Sequence, residues 1–427
     1  MVSYVPLNHD AWIPLGFPSG MTYLRHLVAK GASMRWGTPL PKEVSDRLEY
    51  ELSTIEQLGN AGTRADYASF FLFVRDYVEA TRRMGAWVGP GRGALAGSAV
   101  AHALGITGVD PIKHGLLFER FLNLDRISMP NIDIEFDDEG RGEVHRYIAE
   151  RYGRDHVAHI VTFGLMSPTR AIDVKIGLLG SATLAIQKEC VRLIKERTGR
   201  TIDLEHIPEN DEATLSVFAK SDTSGIPQFE TPEMREWLKE LNPSCFKDIV
   251  AMNALCCPKL KELIPSFIRR KNGEEPIEYD HPLMEGVLRE TYGLTVYQEQ
   301  MMELSQTLAD FSRCDSDKMR KAMGLKKLVV TEDMKPKFTE GCLSNKKFRI
   351  GKWESEDEAR KLIDKTWGDW YAFASHAFNK SHAVACAWHA YQSAYLKAHY
   401  PKEFLCARVR QECGNPDAIE RIIFGDS

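Results

Sequence analysis

The chain has 427 residues, 43% of them hydrophobic and 27% charged, with a formal net charge of −5. That length exceeds one ordinary core, so two or three domains are expected, and the mild acidity gives no support for wholesale nucleic-acid binding while leaving room for a local basic face. Nine cysteines without paired CxxC spacing fit a reducing cytoplasm, and with no signal-like start and no run of about 18 apolar residues the chain is expected in the cytoplasm with no membrane contact.

Residues 1–20 read as irregular. From Met21 to about Met84 the apolar spacing is helical, as in YLRHLVAKGASMRW and VSDRLEYELSTIEQLG. A loop, VGPGRGALAGS (88–98), leads into a small-residue helix, AVAHALG. An alternating strand follows at 131–136, then a helix, GRGEVHRYIAERYG, with Gly153 as its stop. HVAHIVTFG (156–164) predicts a second strand and DVKIGLLG (173–180) a third. From about Ala182 the pattern is mostly helical, interrupted at turns bearing Pro208, Pro227, Pro243, Pro258 and Pro265. The chain thus divides into a helical lead-in (1–85), a compact α/β unit (86–185) and a large helical region (186–427), an α+β class.

Alternation on the strand puts Asn131, Asp133 and Glu135 on one face and Ile132, Ile134 and Phe136 on the other. Residues two apart lie roughly 6.5 Å apart. Carboxylates so spaced can straddle two hard cations that stabilise the attacking and leaving oxygens of a phosphoryl transfer. An edge strand with a solvated polar face has the same pattern. Asp137, Asp138 and Glu139 read as negative charge for the first turn of the next helix.

In the loop, Gly89, Gly91, Gly93 and Gly97 surround Arg92, and the run ends at Ser98. Glycines let backbone N–H groups approach a phosphate, a helix start favours an anion, and Arg92 adds a charge-assisted contact. The run is neither a P-loop nor a dinucleotide fingerprint, and a tight turn before a helix accounts for it equally well. Loop and strand together suggest phosphate plus metal, and hence nucleotide chemistry.

The segment VGPGRGALAGSAVAHALGITGVDPIKHGLLFERFLNLDRISMPNIDIEFDDEGR resembles the palm signature of the bacterial replicative DNA polymerase III alpha subunits, the C family. So do YGLTVYQEQMM (292–302), MRKAMGLKK (319–327) and FASHAFNKSHAVACAWHAYQSAYLKAHYPKEF (373–404). The likeness covers roughly residues 20–415. It implies a nucleotidyltransferase-like palm sheet with helical fingers, acting on a DNA primer–template and dNTPs, with replisome subunits as possible partners. It also implies Mg²⁺ in a two-metal site. Matched residue by residue, Asp133 and Glu135 are the catalytic, metal-holding carboxylates. Arg92, Gly93, Ser98 and Lys175 fall on the phosphate side, and Arg320, Lys321, Lys380 and His382 line the nucleotide pocket. Gln298 and Glu299 read as structural.

Several positions depart from that pattern. The family has aspartate at all three same-face positions, where this strand has Asn131, Asp133 and Glu135. The third catalytic aspartate is replaced by Gly177 in VKIGLLG, with Asp173 four residues earlier. The thumb, inserted in the family between the two palm segments, is missing where SPTRAI runs into DVKIGLLG. An Arg-Pro-Gly-Pro motif reads Cys257, Pro258, Lys259, Leu260, and Ala94 and Ala383 stand where serines are usual. The family's N-terminal phosphoesterase-like domain and C-terminal modules are expected to be absent. Basic clusters at 269–273 and 346–353 could neutralise phosphates or be solvated helix faces, and Trp353, Trp367, Trp370 and Trp388 read as core. His376, His382, His389 and His399 form no metal set; of them only His382 carries a functional expectation. Three readings follow: template-directed DNA synthesis weakened by active-site losses, a catalytically silent DNA- or nucleotide-binding remnant, and a metal-dependent phosphodiesterase using Asp133 and Glu135.

Overall fold

Side chains that can accept a backbone N–H mark where most helices begin. Ser19, Asp66, Ser98, Asp137, Ser181, Asp211, Thr231, Ser312, Ser355 and Asn379 each cap the helix that follows. The computed structural model describes residues 13–14, 16–60, 66–125, 130, 132–157, 176–349 and 355–424.

The first part holds α1 (Gly20–Trp36), α2 (Lys42–Asn60), α3 (Tyr67–Arg83), α4 (Ala99–Ala103), β1 (Ile132–Asp137), α5 (Asp138–Tyr152) and β2 (Ile176–Ser181). A helical series follows: α6 (Ala182–Thr198), α7 (Glu212–Ala219), α8 (Pro232–Leu241), α9 (Phe246–Leu255) and α10 (Ile264–Lys271). Beyond it come α11 (Glu285–Leu288), α12 (Gln298–Ala309), α13 (Arg313–Gly324), α14 (Leu328–Ser344), α15 (Lys346–Arg349) and α16 (Glu356–Phe373). The last three are α17 (Lys380–His399), α18 (Pro401–Gln411) and α19 (Pro416–Phe424). The α+β class holds: the described residues are mostly helical, with one small sheet of two parallel strands.

Register pairs Asp133 with Gly177 and Glu135 with Leu179. The expected helix after β1 ends before Gly153, whose φ of 93° suits glycine. Asp137 caps that helix by accepting the Gly140 N–H at 2.9 Å, with Asp138 and Glu139 in its first turn. The strand expected at 156–164 lies almost wholly outside the described residues, and Arg154–His156 is a short 3-10 turn. Pro265 does not interrupt a helix. It sits in the first turn of α10, where its missing N–H has no partner to lose.

Three apolar cores hold these elements. One joins α1–α5 to both strands through Phe70, Phe71, Phe73, Tyr77, Phe118 and Phe136, and it runs across residue 85 without a break. The Tyr77 and Phe136 rings lie 6.4 Å apart. A second core joins α6–α10 to α17 and α18, and a third joins α12–α16. Trp367, Trp370 and Trp388 are buried in these cores, as their sequence setting suggested; Trp353 lies outside the described residues. No helix among the described residues is long and apolar enough to cross a membrane.

Candidate functional site

On β1 the apolar face is sealed: Ile132, Ile134 and Phe136 are buried, while Asp133 is exposed and Glu135 half-buried. The edge of β1 opposite β2 receives the glycine loop. Val88 bridges Phe136 in antiparallel fashion, the Gly89 N–H donates to the Glu135 carbonyl at 2.8 Å, and the Asp137 N–H donates to the Trp87 carbonyl at 3.1 Å. Gly89 permits this approach, because a Cβ there would lie 3.1 Å from the Glu135 Cβ.

Backbone pairing brings Arg92 to the acidic face. Its Nη1 donates to Glu135 Oε1 at 2.5 Å. The second carboxylate oxygen, Oε2, lies 3.6 Å from His389 Nδ1. Burial raises the Glu135 pKa, but His389 and Arg92 outweigh it and hold the carboxyl below its ordinary value. Across β1, the Asp133 carboxylate covers the space that a Cβ on Gly177 would take.

The third wall is α17. His382, Cys386 and His389 are spaced four and three residues apart, which puts them on one helix face. The Gly93 N–H donates to His382 Nδ1 at 3.3 Å. Burial, then Arg92, lowers the His382 pKa, which favours the neutral ring that can accept this bond. The Cys386 thiol lies 3.5 and 3.7 Å from the two ring nitrogens. Two devices seat this helix. Gly97 lets the loop pass beneath it, since a Cβ would lie 2.9 Å from the Leu117 carbonyl and 3.0 Å from Ser381 Oγ. Buried Glu299 accepts from Asn379 Nδ2 at 2.7 Å and from the Lys380 N–H at 2.8 Å, so the structural reading of Glu299 stands.

The predicted residues thus separate into groups. Glu135, Arg92, Gly93 and His382 meet at one site, with Asp133 on the same face of β1 as Glu135. Ser98 does not reach it. Its hydroxyl is buried and donates to Glu51 Oε2 at 2.8 Å. Glu51 also accepts from the Ala99 N–H (2.9 Å), the Val100 N–H (3.0 Å) and Arg47 Nε (2.7 Å). The helix start assigned to a phosphate therefore already holds an internal carboxylate. Lys380 Nζ pairs with Glu290 at 2.6 Å beside a cavity of about 270 Å³ that Lys113, His114, Lys247 and Tyr297 also line. Arg320 is buried, paired with Asp317 at 2.7 Å and donating to Gln298 Oε1 at 3.3 Å. Lys321 is exposed on α13, and Lys175 and Asn131 lie outside the described residues. The basic run at 269–271 is largely neutralised: Arg269 and Arg270 meet Glu275 at 2.9 and 2.7 Å, and Lys271 meets Asp248 at 3.6 Å.

His389 and Glu51 were missed from sequence. The i, i+7 spacing from His382 was the available signal for His389. Glu51 sits far from the loop in sequence, and nothing local pointed to their contact.

Of the acids weighed for the expected two-metal site, Asp133 and Glu135 are on β1, position 177 is glycine, and Asp173 lies outside the described residues. Gly177 offers no ligand, and both Glu135 oxygens face protein nitrogens. Among the described residues no three His, Cys, Asp or Glu side chains converge as a metal site.

Residues 22–233 match the family model of the bacterial DNA polymerase III alpha NTPase domain, and residues 183–346 that of the bacterial DNA polymerase III alpha subunit finger domain. Both models describe parts of a bacterial DNA polymerase. The chain is 33% identical to the DNA polymerase III subunit alpha of Bacillus subtilis, over 94% of this chain and 44% of that protein. It is 33% identical to that of Aquifex aeolicus over 91% and 44%, and 32% identical to that of Thermus aquaticus over 88% and 39%. The chain belongs to the DNA polymerase III alpha family. It spans less than half the length of these relatives.

Proposed function

We propose that this chain binds DNA and dNTPs in the cleft between β1, the glycine loop and α17, as a catalytically silent member of its family. In this reading the strands belong to a palm and the later helices to fingers. One observation carries it: Gly177 stands opposite Asp133, and Glu135, the second acid, is engaged by Arg92 and His389. A two-metal phosphoryl transfer needs acids free to hold both cations, and of the two acids on β1 this arrangement leaves Asp133 so disposed. Length supports the reading as well. The Bacillus subtilis match runs over 509 aligned positions, more than the 427 residues of this chain, so that relative carries extra residues inside the matched span. A missing thumb fits that excess.

A second reading, retained template-directed synthesis, has its own support: Asp133 and Glu135 share one face beside an arginine-bearing loop. Primer extension with Mg²⁺ or Mn²⁺, run beside fluorescence anisotropy on labelled primer–template, separates the two. We expect DNA binding without incorporation. Incorporation that disappears in Asp133→Ala overturns the silent reading and establishes the enzyme. Absence of any DNA or dNTP binding overturns both.

A further inference from the structure

We propose that nucleotide phosphates bind this cleft without a divalent metal, because Arg92 occupies the position at Glu135 that a cation would otherwise fill. The inference rests on the nucleotide-binding reading above. It starts from the disagreement between the family's expected metal site and the side chains present.

Magnesium requires near-octahedral oxygen ligands at about 2.0–2.1 Å. Glu135 is poorly placed to supply one. Oε1 accepts from Arg92 Nη1 at 2.5 Å, and Oε2 has His389 Nδ1 at 3.6 Å. A metal ion would have to displace a guanidinium whose charge is permanent. The other acid, Asp133, faces Gly177, so its strand partner supplies no carboxylate to help it hold an ion.

Arg92 can serve two anions at once. A guanidinium presents five N–H donors in a rigid fork, and one of its terminal nitrogens binds Glu135. Its side chain is 38% exposed, so a solvent-borne anion can reach it. A phosphate oxygen can be held there by a charge-assisted hydrogen bond. Glu135 then fixes the direction of the guanidinium and offsets part of its charge.

This assignment predicts an inverted response at Glu135. If a metal carried the phosphate, Glu135→Gln would weaken binding. With Arg92 as the carrier, the same change frees positive charge and tightens it.

Isothermal titration of dATP into the full chain, in EDTA and in excess MgCl₂, is the direct test. We expect dissociation constants that agree within about threefold. Arg92→Ala should weaken binding about tenfold in both buffers, and Glu135→Gln should tighten it in both. Binding that weakens tenfold or more in EDTA overturns the proposal, as does saturable binding of Mn²⁺ alone that Glu135→Gln abolishes. No dATP binding in either buffer overturns the nucleotide reading together with this one. The wild-type comparison decides by itself if either variant fails to fold.

Discussion

Replacing Gly177 with aspartate places an acid at the register position opposite Asp133. The backbone admits it, because Gly177 sits in β2 and the atom in the way is Asp133 Oδ1, the end of a rotatable side chain. Two carboxylates about 4 Å apart repel by about 4 kcal/mol at an effective dielectric near 20. Asp133 is exposed, so screening reduces this, and we expect Gly177→Asp to lose about 1–3 kcal/mol in EDTA. A divalent cation shared by the two acids reverses the sign. At a hundred times its dissociation constant it contributes about 2.7 kcal/mol. Thermal melts of both proteins in EDTA and in excess Mg²⁺ read the two effects. The wild type should melt at the same temperature in either buffer. The variant should melt lower than wild type in EDTA and recover with Mg²⁺. A variant as stable as wild type in EDTA and indifferent to Mg²⁺ would refute the shared face of residues 133 and 177.

Glu51→Ala removes the acceptor for Ser98 Oγ and two backbone N–H groups and unpairs Arg47 Nε; urea unfolding should show a loss of about 3–5 kcal/mol. Ser98→Ala should lower stability by about 1 kcal/mol through the lost cap yet leave the dATP dissociation constant within about twofold, and a tenfold weakening would return Ser98 to the phosphate side. Burial and then Arg35 lower the His102 pKa from 6.5 to about 4, so the unfolded chain binds the extra proton first. Stability from that group is whole above pH 6.5 and declines as pH falls toward 4. His102→Gln should flatten a melting-temperature profile over that window. His382, lowered chiefly by burial, adds to the same slope.

Local patterns were legible where local physics decides. The alternation at 132–136 gave the strand and its sealed face, and the acids at 137–139 gave the cap and first turn of α5. The juxtaposition of loop and strand was legible only as an expectation, since the Gly89 pairing that creates it is a contact between distant segments. Proline at 265 misled because the same residue ends one helix and begins another, and only the neighbouring chain decides which. Ser98 misled for a different reason. A helix start draws an anion, as argued, but the anion is Glu51, supplied by a helix whose sequence shows only an amphipathic stripe.

Motif membership and an available charge are separate properties, and the motif residues that stand apart from this site show why. Lys380 answers Glu290, Arg320 answers Asp317, and Ser98 answers Glu51, each largely buried. Removing one member of a buried ion pair costs about 3–5 kcal/mol, which packing alone is enough to resist. The position at 177 obeys the opposite rule. There a carboxylate adds repulsion with Asp133 unless a cation is present, so a glycine is the more stable residue once no metal is held. A chain that binds nucleotides without turning them over would keep the paired charges and lose the unpaired acid. Asp133 is then the informative residue: its exposed carboxylate has little structural work to do, and Asp133→Ala should leave the melting temperature unchanged and should not weaken metal-free dATP binding.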